Sequence, residues 1–184
     1  MKKIIALAIM VFLATGAAFA QHQHGHGCGN CPNHAQHHGQ QAQQQKPQVN
    51  ADGIDMAVVR AFPTVKSVDK TDKNGYRPVL DAQDKVLGYV VYSKPASDGI
   101  KGYAGETPVV VAFDTKKVIV GVYLLPNQET PKFARRVEEA GFYKNWNGLT
   151  AKKALKKEVD AVTGATFTSM AVANSVRAAL ETLK

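Results

Sequence analysis

The sequence predicts an α+β fold: a mainly antiparallel, twisted sheet flanked by helices, forming a single domain behind a signal peptide and a disordered linker. Three observations carry this. Two pairs of apolar segments are each split by a short polar stretch, the pattern of two adjacent hairpins. Val172, Val176, Leu180 and Leu183 recur at helical spacing and mark an amphipathic C-terminal helix. From Gln21 to Asn50, by contrast, large apolar residues are almost absent, so this stretch cannot offset the entropy of ordering.

Residues 1–20, MKKIIALAIMVFLATGAAFA, pair two lysines with an apolar run and end in Ala18-Phe19-Ala20, the small-x-small pattern that signal peptidase cuts. This predicts export to a periplasmic or other extracytoplasmic compartment, with a mature chain starting at Gln21. The apolar run from Ile4 to Ala20 is at the short limit for a spanning helix, so an uncleaved, membrane-associated form is the alternative. Residues 21–50 form the His-, Gln- and Cys-containing linker. Residues 51–184 suffice for one ordinary domain and are too few for two.

Within that domain, residues 54–61 (IDMAVVRA) have the pattern of a short amphipathic helix. Pro63 stops it, because the residue before a proline is pushed out of the helical region. Pro78–Leu80 and Val86–Tyr92 flank the polar DAQDK, which reads as the first hairpin. Thr107–Phe113 and Val118–Leu125 flank Asp114-Thr115-Lys116-Lys117, a second hairpin whose strands are apolar enough to be buried on both faces. Helical spacing returns at 132–139, behind Pro131 at a favourable first-turn position and ahead of Gly141. A short helix is expected at 150–157, and the last from about Ser169 to the C-terminus.

Charge narrows the partners. Of the formal +8, Lys2 and Lys3 belong to the signal region, which leaves +6 on the mature chain. Basic residues are not blocked together with aromatics, so nucleic acid is not expected as a partner. Lys152, Lys153, Lys156 and Lys157 read as one solvated helix face.

The stretch DAVTGATFTS, Asp160 to Ser169, feeds the last helix. A helix N-terminus offers unpaired amides and the positive end of the helix dipole. Gly164 can take backbone angles closed to other residues, and Ala165 leaves room for a bulky group beside the main chain. Thr163, Thr166, Thr168 and Ser169 add hydroxyls. The composition suits a phosphate site or a modified hydroxyl; it equally suits a helix capped by Thr168 or Ser169. Neither Gly-x-Gly-x-x-Gly nor Gly-Lys-Ser/Thr is present.

Asp160-x-x-Thr163-Gly164-Ala165-Thr166-x-Thr168-Ser169 resembles the flavinylation motif of the FMN-binding domain family, found in the peripheral C and G components of sodium-pumping and Rnf-type oxidoreductases and in small exported electron carriers. Gly102-Tyr103-Ala104-Gly105 and Glu129-Thr130-Pro131 resemble two further family segments. Where the family often continues with Gly-Leu-Gly, this chain has Lys132-Phe133-Ala134. The resemblance implies FMN joined through its phosphate to the Thr166 oxygen, with Thr163, Gly164, Ala165, Thr168 and Ser169 around the phosphate. Asp160 is then either read by the attaching flavin transferase or bound to loop amides. Glu129 and Thr130 either meet the flavin edge or begin a helix, and Tyr103 and Trp146 either stack on the ring or pack. The implied partners are that transferase and a membrane redox complex or extracytoplasmic reductase. The implied role is a redox carrier rather than a stand-alone reductase.

A different function class rests on the linker. It holds all six histidines, His22, His24, His26, His34, His37 and His38, and both cysteines, Cys28 and Cys31. Cys28-Gly29-Asn30-Cys31 lacks the histidine of a haem-attachment site. The pair suits a disulfide, or with the histidines a site for Zn, Cu or Ni, which would make the protein a metal-binding or metal-delivery module. Calorimetric titration with Zn or Cu should show binding by the mature chain and none by a chain lacking residues 21–50. Negligible heat from both would leave a spacer.

Overall fold

The computed structural model describes residues 48–184. The signal peptide expected at 1–20 and the cysteines and histidines of the linker lie outside the described residues. The elements in chain order are α1 (Met56–Ala61), β1 (Ser67–Val68), β2 (Arg77–Leu80), β3 (Val86–Tyr92), β4 (Val109–Phe113), β5 (Ile119–Leu124), α2 (Pro131–Glu139), a 3₁₀ turn (Phe142–Trp146), α3 (Ala151–Leu155) and α4 (Thr166–Glu181). The five strands lie in the order β1-β2-β3-β4-β5. Every neighbouring pair is antiparallel, giving a meander.

Both expected hairpins form, and an aspartate shapes each turn in the same way. Asp81 Oδ1 accepts from the amides of Gln83 and Lys85 at 2.9 and 3.0 Å. Asp114 Oδ1 accepts from those of Lys116 and Val118 at 2.8 and 2.9 Å. These bonds satisfy amides that the turn takes out of the ladder. They also hold Asp84 and Lys117 in the left-handed region, at φ 58° and 61°, a conformation few non-glycine residues adopt.

The sheet separates two apolar clusters. Val109, Val111 and Phe113 of β4 join the cluster under α4, with Val172, Val176, Ala179 and Leu180. Val110 and Ala112 join the one under α1, with Ala57 and Val58. All five residues of β4 are therefore buried, and each buried valine contributes about 1.5–3 kcal/mol relative to exposure. The expectation of burial on both faces holds for β4 and only partly for β5, an edge strand whose Val120 is 41% exposed. Glycine also decides how α4 ends. A Cβ at Gly75 would lie 2.9 Å from the Thr182 carbonyl oxygen, and the Lys184 amide donates to the Asn74 carbonyl at 3.1 Å.

Four details differ from the sequence reading. β1, only two residues long, and the 3₁₀ turn carry too short a pattern to be legible beforehand. Gln48, Val49 and Asn50, placed with the linker, are hydrogen-bonded to the segment that follows: the Met56 amide donates to the Gln48 carbonyl at 2.9 Å, and Asn50 Oδ1 accepts from Asp52 and Ile54. Finally, α4 starts at Thr166 instead of Ser169, because the Ser169 amide donates to the Ala165 carbonyl at 2.9 Å and closes the first helical turn three residues early. Among the described residues, no helix is long and apolar enough to cross a membrane.

Candidate functional site

The site is assembled around one buried carboxylate. Beyond β5 the chain turns at Asn127, whose Oδ1 accepts from the Glu129 amide at 2.9 Å. Glu129 is only 3% exposed. Its Oε2 accepts from the Tyr103 amide at 2.7 Å, and its Oε1 accepts from the amides of Ala104 and Thr130 at 2.9 and 2.8 Å. Three backbone donors thus compensate the buried charge. They also tie the 102–105 loop to the start of α2, where Thr130 is the N-cap and Pro131 the first helical residue.

Both glycines of Gly102-Tyr103-Ala104-Gly105 are required by contact. The loop closes on itself through the Gly102 amide and the Gly105 carbonyl at 2.8 Å. A Cβ at Gly102 would overlap Glu129 Oε2 and come within 3.2 Å of the Thr168 Cα. At Gly105 it would reach 2.7 Å from Gln128 Cβ. The loop therefore seats against both the 128–129 segment and the first turn of α4.

That first turn has few internal partners for its donors. Gly164 has φ 75°, which turns the chain so that the Ala165 amide bonds the Val162 carbonyl at 2.9 Å. Ala165, the N-cap, is buried and offers no side-chain cap. Ser169 does not reach outward: its hydroxyl accepts from the Val162 amide at 3.0 Å and donates to the Thr166 carbonyl at 3.1 Å. Thr168 is fully buried, and among the described residues its Oγ1 has no hydrogen-bond partner. Neither residue caps the helix, so among the described residues the amides of Thr166, Phe167 and Thr168 have no partner at its positive end. Thr163, Gly164 and Thr166 are exposed.

Sequence reasoning missed two residues here. Arg136, in the last turn of α2, lays its guanidinium against Gly164 so closely that a Cβ there would overlap Nη1. Nothing in the Arg135-Arg136 pair says which one faces the loop. Phe167 is 70% exposed although apolar, and its place beside Thr166 was the available signal. Tyr103, 65% exposed, meets Phe133 edge-on at 4.8 Å between ring centroids.

The remaining residues fall elsewhere. Trp146 is 3% exposed and packs edge-on against Phe142 at 5.5 Å, so it is core. Asp160 is exposed and lines a hollow of about 310 Å³ with Trp146, Met170, Asn174 and Arg177. Among the described residues, no group of three or more His, Cys, Asp or Glu could hold a metal ion.

This donor set fits a phosphorylated flavin. Three amides and a guanidinium without partners among the described residues suit a phosphate, and Gly164 removes the Cβ that would keep such a group from the main chain. Thr166 is exposed, and so is Phe167, which follows it in the chain. Glu129 gives its carboxylate oxygens to three of the chain's own amides.

Residues 102–181 match the family model described as the FMN-binding domain. Over 111 residues the chain is 31% identical to the G component of the Na(+)-translocating ferredoxin:NAD(+) oxidoreductase complex of Acetobacterium woodii, covering 53% of this chain and 49% of that protein. Over 127 residues it is 32% identical to the G component of the proton-translocating ferredoxin:NAD(+) oxidoreductase complex of Clostridium ljungdahlii, covering 64% and 66%. The chain thus spans about half the length of the first relative and about two thirds of the second. The crystal structure of Shewanella oneidensis NqrC superposes with a TM-score of 0.40 at 22% identity, over 70% of each chain.

Glu129→Gln replaces one acceptor oxygen by a donor that faces backbone donors. The substitution should lower stability by about 1–3 kcal/mol in urea denaturation and speed amide exchange at Tyr103 and Ala104. An unchanged midpoint with unchanged exchange would mean that the loop is held by other contacts.

Proposed function

From a chain that belongs to the FMN-binding domain family, we propose an exported electron-transfer flavoprotein. It carries FMN joined through its phosphate to the Thr166 oxygen, and it relays electrons between a membrane redox complex and an extracytoplasmic acceptor. The observation that carries this reading is the exposed Thr166 at the start of a 16-residue helix whose first amides have no partner among the described residues, two residues after a left-handed glycine.

The residues divide the work as their environments dictate. Thr166 is the attachment point and takes no part in the redox chemistry. A phosphodiester there retains one negative charge, held by the amides of Thr166 to Thr168, with the exposed Thr163 hydroxyl beside it. Tyr103 and Phe167 present the apolar surface that a planar ring would cover, removing area otherwise in contact with water. Glu129 holds the Tyr103 loop in position. Asp160, exposed and outside this turn, is available to the flavin transferase that would install the group.

Bound flavin supplies one- and two-electron exchange, and a covalent link prevents its loss where free cofactor is scarce. The domain needs little else for that role. Every histidine and cysteine precedes residue 39, so the domain offers no imidazole or thiol for chemistry on an organic substrate. Both relatives are named as components of ferredoxin:NAD(+) oxidoreductase complexes, which supports a membrane redox complex as partner. Export rests on the N-terminal twenty residues.

Coexpression with a flavin transferase should give a protein that stays fluorescent after denaturation, with the flavin mapping to the Thr166 peptide. Thr166→Val should lose that signal while the unloaded proteins melt within about 0.5 kcal/mol of each other, as the side chain is exposed. Flavin on any other residue would refute the assignment. The relay reading makes a separate demand. In stopped-flow mixing, the reduced protein should be oxidised rapidly by redox proteins or quinones. Saturable turnover of a small organic substrate by the isolated protein would make it a reductase instead.

A further inference from the structure

We propose that Arg136 is the residue that pairs with the flavin phosphate and sets its orientation at Thr166, an inference that rests on the attachment reading above. The guanidinium lies against Gly164, and Thr166 follows two residues later, within about 7 Å along the chain. Arg136 forms no ion pair among the described residues. Its charge instead sits beside the positive end of α4, whose amides at 166–168 likewise have no partner among the described residues. With no ion pair to Arg136 among the described residues, the two positive groups repel each other. An anion on Thr166 Oγ1 would relieve both at once.

Three features make this more than a surface arginine near a helix. Gly164 has φ 75° and no Cβ; any side chain there would displace the guanidinium from the turn. The fully buried Thr168 Oγ1, in the same turn, has no partner among the described residues. The neighbouring Arg135 has a different environment: it lines a cavity of about 550 Å³ along β5 with Arg60, Glu138 and Lys144. Arginine suits the task because its planar fork makes two parallel bonds to phosphate oxygens, which a lysine cannot reproduce.

The test compares melting temperatures of unloaded and flavin-loaded protein for the wild type, Arg136→Gln, Arg136→Lys and Arg135→Gln, each separated from its unloaded fraction. Loading should raise the wild-type and Arg135→Gln midpoints by the same amount, and raised salt should shrink that gain. In Arg136→Gln the gain should fall by less than about twofold, because charge-assisted hydrogen bonds are roughly twice as strong as neutral ones and the amides of α4 keep their share. Arg136→Lys should recover part of it. Unloaded Arg136→Gln should melt at or above the unloaded wild type, since the like-charge contact is gone; a merely structural arginine would instead lower it. Equal gains in Arg136→Gln and wild type would overturn the proposal. So would folded Arg136 variants that never load, which would make the residue a contact for the transferase. A wild type that bears no flavin on Thr166 would sink the attachment reading and this inference together.

Discussion

The Glu129 carboxylate is the interaction on which the rest of the site depends. It is buried, and a buried charge is tolerated only when donors surround it. Here the donors are the main-chain amides of Tyr103, Ala104 and Thr130. One side chain thereby joins the 102–105 loop to the beginning of α2, and Gly102 carries that junction onto Thr168 at the first turn of α4. Three segments far apart in sequence converge within a few ångströms. Because backbone amides are the donors, residue identity at 103 and 104 matters little to the junction. Residue identity at 102 and 105 matters a great deal, since any Cβ there collides with what the loop rests on.

The sheet determines where the helix ends lie. β4 is buried on both sides, so α1 and α4 are pressed onto opposite faces of the same strand. The buried face of α4, from Thr168 to Leu180, sets the rotation of the helix about its axis. The contact of Gly75 with Thr182 limits its sliding along that axis. With rotation and translation both restricted, Thr166 is exposed while Thr168 and Ser169 point inward. α2 stands on the same side of the sheet, with Val137 in the α4 cluster, and brings Arg136 to Gly164.

Much of the fold was legible in the residues because its signals are local. DAQDK and DTKK between apolar runs announce hairpins, and both turns form through an aspartate bonding the amides two and four residues on. The stripe of Val172, Val176 and Leu180 is the buried face of α4. The motif at 160–169 leads into α4, which begins at Thr166. Less was legible of the hydroxyls within it. Four side chains of similar chemistry stand in seven residues, and their division into exposed Thr163 and Thr166, buried unpaired Thr168, and Ser169 bonded back to Val162 follows from how the helix is rotated against the sheet. A capping role for Thr168 or Ser169 was reasonable on spacing and is excluded by that rotation.

By itself, then, the sequence determined the element types, the two hairpins, the helix that follows the threonine-rich turn, and the family of that turn, since each depends on residues close together along the chain. Tertiary structure alone decided that Glu129 serves the chain's own amides, that Trp146 belongs to the core, and that Arg136 rather than Arg135 meets Gly164. The physical reason is the same in each case. Whether a charged or aromatic side chain faces a ligand, a backbone amide or the core depends on which distant segment packs against it, and that is settled by long-range burial around the sheet, to which no local pattern of residue types is sensitive.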